Sequence, residues 1–421
     1  MSLPRTPLRH RTVLAAGLAV LALSLAACGP RSATPTASAT AGPGSTTAPT
    51  ATTTPAPAST PGSTGPDGVP PVIRADSCRL RVDAMTPAER AGQLVMVGHQ
   101  VGEDPAATAA LVKRQDLGSV ILMGTSKAGV TSVRQMTDAI RAGAGRDGLV
   151  VAVDQEGGQV RRLSGTGFTA MPSAADQGKL STTRLADDAR TWGKELHRAG
   201  IDVDLAPVAD VVPADRVAVN EPIARYGRGF GSDPAAVSGS VRAFVSGLRS
   251  GGTGTAVKHF PGLGQVVGNT DFATGVTDDR TVRHDPLLAP FGAAIGAGTD
   301  MVMISSARYT RIDAQQPALW SPVVIGQMLR GDLGWHGVVV SDDLGVAAQV
   351  QSVAPGERAV RFVRAGGDIA ITVDPTLADD MVTGLADTAA HDPAFDRQVR
   401  DSALRVLEMK AGRGLAGCSA G

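Results

Sequence analysis

The chain has 421 residues, of which 40 are basic and 40 acidic, so that its formal charge at pH 7 is zero. A balanced charge gives no electrostatic basis for binding nucleic acid, which requires concentrated positive charge. The chain is 43% hydrophobic and long enough for two small domains or one large barrel. Its three cysteines do not have the spacing of a zinc site.

The chain begins with the pattern of an export signal. Three arginines precede residues 13–27, an almost uninterrupted apolar or small run that is short for a membrane-spanning helix. The run ends in Leu25-Ala26-Ala27-Cys28, which resembles a bacterial lipobox. We therefore expect residues 1–27 to be removed and Cys28 to carry lipid. The alternative is an ordinary cleavage site followed by an unmodified cysteine.

A lipidated Cys28 would anchor the exported protein on the outer face of the cytoplasmic membrane or in the cell envelope. Residues 28–75 would then form a disordered tether, because they are rich in Ser, Thr, Pro and Ala and lack a periodic apolar face. A flexible tether of this length has a mean reach on the order of 40 Å. The globular domain is assigned to residues 76–421.

Two cysteines lie near opposite ends of the globular domain. In an oxidising compartment we expect Cys78 and Cys418 to form a disulfide that joins these ends. The alternative is two free thiols.

Eight short β-rich runs alternate with helix-like segments along the globular domain. Most of the runs are continuously apolar, as parallel strands covered on both faces require, and helix starts such as Asp233-Pro234 and Ser321-Pro322 separate them. The pattern predicts an α/β fold with a single (β/α)8 TIM barrel. An open doubly wound sheet is the second candidate, but the first run lacks the glycine fingerprint that such sheets carry. The runs are 93–98, 119–123, 149–154, 202–206, 255–259, 301–305, 338–342 and 368–373.

Polar side chains follow three of the predicted strands. Asp154-Gln155-Glu156-Gly157-Gly158 follows the third strand, Lys258-His259-Phe260-Pro261-Gly262 the fifth, and Ser341-Asp342-Asp343 the seventh. Each group alone could be a helix cap, a satisfied core pair or a turn. Because the C-terminal ends of barrel strands meet on one face, the three together predict a polar active site.

These motifs resemble glycoside hydrolase family 3. More narrowly, they are similar to the single-barrel β-N-acetylglucosaminidases that act on peptidoglycan fragments, and the likeness extends from about Met85 to Gly412. The resemblance implies that Asp342 is the nucleophile of a retaining hydrolase. It further implies a set of sugar ligands: Asp154, Arg162, Arg228, Lys258 and His259.

Two cations are expected near the implied nucleophile. Lys258 and Arg228 would lower the pKa of Asp342 and keep it ionised. Asp343 is expected to support the nucleophile or to cap a helix.

The acid/base position departs from the family pattern. Relatives carry Asp-Ser-His on the loop after the Lys-His-Phe-Pro-Gly motif, whereas this chain has Asn269-Thr270-Asp271, and Leu263 replaces the second His of the motif. The first hypothesis is that Asp271 is the general acid, with a raised pKa. The second assigns that role to a neighbouring group: Glu221, Asp278, Asp279 or His284. The third is that the acid is lost, so that the protein is a glycan-binding envelope lipoprotein or cleaves only substrates with good leaving groups.

The resemblance implies release of terminal β-linked N-acetylglucosamine from peptidoglycan fragments. An ionised Asp271 would repel phosphate, so we expect hydrolysis rather than phosphorolysis. A β-glucosidase of the same family is the main enzymatic alternative, but those enzymes place a large aromatic residue where Asp343 stands. We expect a short carbohydrate substrate, a monomer, and no metal or organic cofactor.

Overall fold

The computed structural model describes residues 77–145 and 147–418. The expected export signal, the lipidated Cys28 and the tether lie outside these residues. Within them, no helix has both the length and the apolar character needed to cross a membrane.

Eight parallel strands form a closed barrel in chain order. Each strand pairs with its sequence neighbours, and β1 closes the ring by pairing with β8, with Val97 opposite Thr372. The closed ring confirms the predicted (β/α)8 barrel and rules out the open sheet. The strands are β1 Val95–Gln100, β2 Ser119–Met123, β3 Val150–Val153, β4 Val203–Asp204, β5 Gly254–Phe260, β6 Met301–Ile304, β7 Val338–Asp343 and β8 Ile369–Thr372.

The strands form where the sequence is apolar and β-branched, and nearly all of their residues are buried. The largest difference from expectation is β4, which is two residues long instead of the predicted five. Pro207 has no N–H to donate to a neighbouring strand. Pairing with β5 resumes beyond it, where Val208 bridges to Lys258.

Helices follow the strands and cover the outside of the barrel, and their starts show the predicted caps. Asp233 accepts a hydrogen bond from the backbone N–H of Ala236, and Ser321 accepts one from Val324. The segment Val323–Asp332 forms i→i+5 hydrogen bonds and is a π-helix. The α-helices are Ser77–Ala84, Pro87–Gln93, Pro105–Gln115, Gly129–Arg141, Ala174–Gln177, Thr182–Arg198, Pro234–Ser250, Ala289–Gly296, Pro355–Arg364, Ala378–His391 and Pro393–Gly412.

The last helix lies across the N-terminal ends of the strands. Its fully buried Lys410 donates hydrogen bonds to the side chain of Gln93, before β1, and to the carbonyl of Gly148, before β3. Cys78 and Cys418 form a disulfide that joins the first described helix to the C-terminal segment. This face of the barrel is therefore closed, and the opposite face is left for chemistry.

Candidate active site

One cavity of about 340 Å³ opens at the C-terminal ends of the strands. Its lining includes every residue to which the sequence assigned a catalytic or sugar-binding role. They come from the C-terminal parts of strands or from the loops that follow, and the barrel brings four such strand ends to one place: Asp154, Arg162, Arg228, Lys258, His259, Asp271 and Asp342.

The floor of the cavity is a paired-charge network of four side chains, called here the floor network: Asp154, Glu156, Arg228 and Lys258. The Nζ atom of Lys258 lies 2.6 Å from Asp154 Oδ1 and 2.7 Å from Glu156 Oε1. Arg228 binds Glu156 with two parallel hydrogen bonds, Nε to Oε2 at 2.8 Å and Nη2 to Oε1 at 2.7 Å. Two cations and two carboxylates thus compensate each other before any ligand arrives.

Burial disfavours the charged forms of Glu156 and Lys258, but their oppositely charged partners have the larger effect on both pKa values. Burial tends to raise the pKa of Glu156, yet Arg228 and Lys258 hold it well below its ordinary value. Burial likewise tends to lower the pKa of Lys258, and the two carboxylates raise it instead. The partners therefore hold Glu156 and Lys258 in their charged forms.

Glu156 was not assigned a role from the sequence, although it stands in the Asp154-Gln155-Glu156 motif. It is 4% exposed and contacts both Arg228 and Lys258, so it organises the floor more directly than Asp154 does. The sequence contained one indication of this role, which is that Glu156 lies two residues after Asp154. On an extended segment such residues point to the same side.

His259 is held by a second unassigned carboxylate, Asp210. Nδ1 of His259 lies 2.7 Å from Asp210 Oδ2, and the other oxygen of Asp210 accepts the backbone N–H groups of His259 and Leu263. Nε2 of His259 faces Arg228 Nη2 at 3.4 Å. Because a guanidinium only donates, this contact is a hydrogen bond when Nε2 is the acceptor and Nδ1 donates to Asp210.

Asp342 lies at the end of β7, with one oxygen accepting the backbone N–H of Asp343 at 2.9 Å. The expectation that Lys258 and Arg228 would give Asp342 a lowered pKa is wrong for the net shift, although Lys258 acts in the expected direction. Burial raises the pKa of Asp342, and the nearby His259, Asp343 N–H and Lys258 only partly oppose this. Both cations already have carboxylate partners in the floor network, so little of their charge is left for Asp342.

Asp271 lies on the loop after β5, at the mouth of the cavity. Its backbone carbonyl accepts the N–H of Ala348, and that of Thr270 accepts the N–H of Gln349, which fixes this loop to the one after β7. The surrounding protein and the facing charge of Asp342 raise the pKa of Asp271 to about 6. A carboxyl group with this pKa holds a proton that it can donate in mildly acidic solution.

The four other candidates for the acid do not line the cavity. Asp278 is 1% exposed and its oxygens accept hydrogen bonds from the backbone of Arg280 and from both the backbone and the hydroxyl of Thr281. Glu221 pairs with Arg225 in solvent, and His284 lies beside Asp332 on the outer side of the barrel. Asp279 is exposed.

Arg162 lies on a small hairpin that follows β3. The side chain of Gln155 bridges the hairpin by bonding both the N–H and the carbonyl of Leu163. The Nε atom of Arg162 is buried without a hydrogen-bond partner, and the residue lines the cavity. A buried donor of this kind is satisfied when a polar ligand enters.

A third carboxyl group that the sequence did not single out lies beneath the floor network. Asp204 is fully buried in β4, and one of its oxygens accepts the N–H of Gln155 while the other has no partner. Burial raises its pKa to about 8, so Asp204 is protonated at neutral pH. An ionised Asp204 would add an uncompensated negative charge to a balanced network.

The cavity combines carboxyl groups with fixed polar side chains. Among the described residues, no three His, Cys, Asp or Glu side chains are grouped as a metal site requires. Two carboxyl groups from different loops face each other above a floor of fixed hydrogen-bond donors and acceptors. This arrangement suits a ring with several hydroxyl groups and a bond that is cleaved between two carboxyls.

Comparisons with known proteins agree with this chemistry. Residues 86–409 match the family described as the glycosyl hydrolase family 3 N terminal domain. A beta-hexosaminidase of Stenotrophomonas maltophilia is 34% identical over 298 residues, which are 68% of this chain and 85% of that protein.

Solved structures show the same likeness. The crystal structure of a beta-N-acetylhexosaminidase from Beutenbergia cavernae has 42% identity and a TM-score of 0.74, covering 78% of this chain and 99% of that one. LpqI of M. tuberculosis has 29% identity and a TM-score of 0.68, covering 80% and 96%.

Proposed function

The chain belongs to glycosyl hydrolase family 3 and is a glycosidase of the beta-hexosaminidase kind, and from this premise we propose that it removes terminal β-linked N-acetylglucosamine by a retaining mechanism. Asp342 attacks the anomeric carbon and forms a glycosyl-enzyme intermediate. The observation that carries the proposal is the pairing of Asp342 with Asp271 across one cavity, above the floor network.

Asp271 serves as the general acid in this mechanism. Protonated Asp271 donates its proton to the glycosidic oxygen as the bond to the leaving group breaks. Once the glycosyl-enzyme has formed, the same carboxylate accepts a proton from water, which then attacks the anomeric carbon and restores Asp342. The raised pKa and the position at the cavity mouth support this role for Asp271 over the four other candidates.

The floor network binds the sugar that is released. Asp154, Lys258 and Arg228 present charged acceptors and donors to adjacent hydroxyls, and the unpaired Nε of Arg162 offers a further donor. Because the four charges of the network are already paired, they do not have to reorganise when the sugar binds. We propose short peptidoglycan fragments as the natural substrates, since the cavity is compact.

The experiment compares hydrolysis of an aryl β-N-acetylglucosaminide with that of the matching β-glucoside, using residues 71–421 and the Asp342→Asn variant. Hydrolysis of the first substrate alone, abolished in Asp342→Asn, is the expected result. Preference for the glucoside would favour the β-glucosidase alternative. A folded protein that cleaves neither substrate would favour the glycan-binding lipoprotein.

We further propose that water, and not phosphate, is the acceptor. Asp271 is an anion once it has given up its proton, and it would repel a phosphate ion that approached the glycosyl-enzyme. Turnover should therefore be unaffected by phosphate. A large stimulation with a sugar 1-phosphate as product would contradict this.

The cellular location is proposed from the sequence. Export and lipidation at Cys28 would place the enzyme in the cell envelope, within reach of wall fragments. Replacing Cys28 by Ala should move the enzyme from the membrane fraction to a soluble fraction. An unchanged distribution would exclude lipidation at this residue as the anchor.

That the protein is a monomer stays a prediction.

A further inference from the structure

One phenylalanine differs from the others in its exposure. Six of the eight phenylalanines are buried and Phe168 is partly buried, but Phe272 is 79% exposed. Exposure of so large an apolar surface to water is unfavourable. Phe272 also lines the cavity, so its exposed ring lies where a substrate enters.

The position of Phe272 along the chain places it on the leaving-group side of the cleaved bond. It directly follows Asp271, whose carboxyl must contact the glycosidic oxygen that joins the released sugar to the aglycone. The released sugar occupies the side of that oxygen nearer the floor network. A side chain at the mouth, next to the acid, therefore faces the aglycone.

A second exposed apolar side chain comes from the opposite loop. Val346 is 55% exposed and also lines the cavity. Its loop is joined to that of Asp271 by the hydrogen bond from the N–H of Ala348 to the carbonyl of Asp271. Phe272 and Val346 thus supply apolar surface at the mouth from two loops that are held together.

We propose that Phe272, assisted by Val346, is the aglycone-binding surface of this enzyme and selects aglycones that present a flat apolar ring face. The C–H face of a second pyranose ring has this chemistry, whereas a methyl group is too small to cover the phenyl ring. The proposal rests on the proposed function for the identity of the cleaved bond. It adds that discrimination between substrates is made by a residue that does not touch the reacting atoms.

The test compares two substrates that differ in the size of the aglycone and that both release an unactivated alcohol. They are methyl β-N-acetylglucosaminide and the β-1,4-linked disaccharide of N-acetylglucosamine. In Phe272→Ala, kcat/KM for the disaccharide should fall about tenfold more than kcat/KM for the methyl glycoside, the effect of losing one stacked aromatic face. Phe272→Tyr should restore the preference.

Val267→Ala is the matched control. Val267 is on the same loop and 49% exposed, but it does not line the cavity, so its replacement should leave the ratio of the two kcat/KM values unchanged. An equal loss on both substrates in Phe272→Ala would mean that the ring only positions Asp271. No loss on either would mean that it contacts no part of the substrate. Both results would overturn the proposal.

A binding measurement separates this inference from the proposed function. If the unmodified protein cleaves neither glycoside, the proposed function fails, and calorimetric titration of the disaccharide and of N-acetylglucosamine then tests Phe272 alone. Phe272→Ala should weaken binding of the disaccharide and not of the monosaccharide. Equal affinities in the variant and the unmodified protein would refute the role of the ring.

Discussion

Asp342 and Asp343 are identical side chains at adjacent positions, and their hydrogen bonds give them different chemistry. Asp343 accepts four backbone N–H groups, those of Gly345, Val346, Ala347 and Val373, so both its oxygens are fully occupied. Asp342 accepts only one, and its second oxygen remains available. Asp342 is therefore suited to attack the substrate, and Asp343 fixes the loop that follows it.

The raised pKa of Asp271 predicts how activity depends on pH. The general acid must be protonated, so kcat/KM for an alkyl N-acetylglucosaminide should fall as pH rises through about 6. A dinitrophenyl glycoside needs no proton on its leaving group and should not show this decline in the glycosylation step. A constant kcat/KM for the alkyl substrate up to pH 8 would exclude Asp271 as the acid.

The buried Asp204 predicts a pH dependence of stability. Its pKa of about 8 in the folded protein is above the ordinary value of 3.8, so the contribution of the neutral acid to stability is complete below pH 4 and is lost as pH rises towards 8. Asp204→Asn keeps the neutral charge at all pH values. The melting temperature of the variant, relative to the unmodified protein, should therefore rise between pH 5 and pH 8. Parallel melting curves would show that Asp204 is ionised when folded.

At the residue scale, the sequence predicted which side chains meet but not how they pair. The motifs placed Lys258, Asp154 and Asp342 correctly at strand ends. They did not reveal that Glu156 pairs with Arg228 and Lys258, or that Asp210 binds the imidazole of His259. Those pairings join residues from different strands. The predicted direction of the Asp342 pKa was wrong chiefly because burial of this carboxyl outweighs the nearby positive charge.

At the scale of elements, the contact between two loops determines where Asp271, the proposed acid, lies. The side chain of Gln349 bonds both the N–H and the carbonyl of Val276, beyond Asp271 on the same loop, and so reinforces the backbone contacts described above. This Gln349 bridge should hold Asp271 over the leaving oxygen.

Replacing Gln349 by Ala should lower kcat about tenfold for alkyl glycosides and much less for dinitrophenyl glycosides, because only the first class depends on the positioned acid. Gln351→Ala is the control. Gln351 bonds the carbonyls of Gly345 and Ala347 within the nucleophile loop, so its loss should affect both classes alike. Equal effects from both variants would argue against a positioning role for Gln349.

Element boundaries were predictable where local sequence decides them and not elsewhere. The strand Ser119–Met123 has the predicted limits and the helix Pro234–Ser250 has the predicted start, since apolar pattern, cap and proline agree there. β4 is shorter than expected because Pro207 has no N–H to donate, although its carbonyl accepts the N–H of Lys258. The loop after β5 contains no regular pattern, and its position depends on contacts with the loop after β7.

At the scale of the molecule, the disulfide joins residues 340 positions apart. Closing so long a loop reduces the entropy of the unfolded chain, which corresponds to about 2–5 kcal/mol of stability. The Cys78→Ser, Cys418→Ser double variant should melt on the order of 5 °C lower than the oxidised protein. A melting temperature equal to that of the oxidised protein would show that the closed barrel alone fixes both ends.

The overall architecture was the most predictable level, because it follows from eight repeated units and two rules: parallel strands need covering helices, and eight such units close into a ring. The disulfide was also expected from the placement of the two cysteines. The closure of the N-terminal face by the last helix was not, since it depends on Lys410 reaching Gln93 and Gly148 across the barrel.

The ion pairs that Glu156 makes with Lys258 and Arg228 separate the binding of the sugar from its cleavage. These pairs favour the charged forms of their members, so we expect sugar binding to change little between pH 5 and 7, while the rate of cleavage should follow the protonation of Asp271. At alkaline pH the enzyme would bind its substrate and cleave it only slowly. Acidification would then start cleavage of the substrate that is already bound, so that external pH would control the rate of the reaction and not the amount of substrate bound.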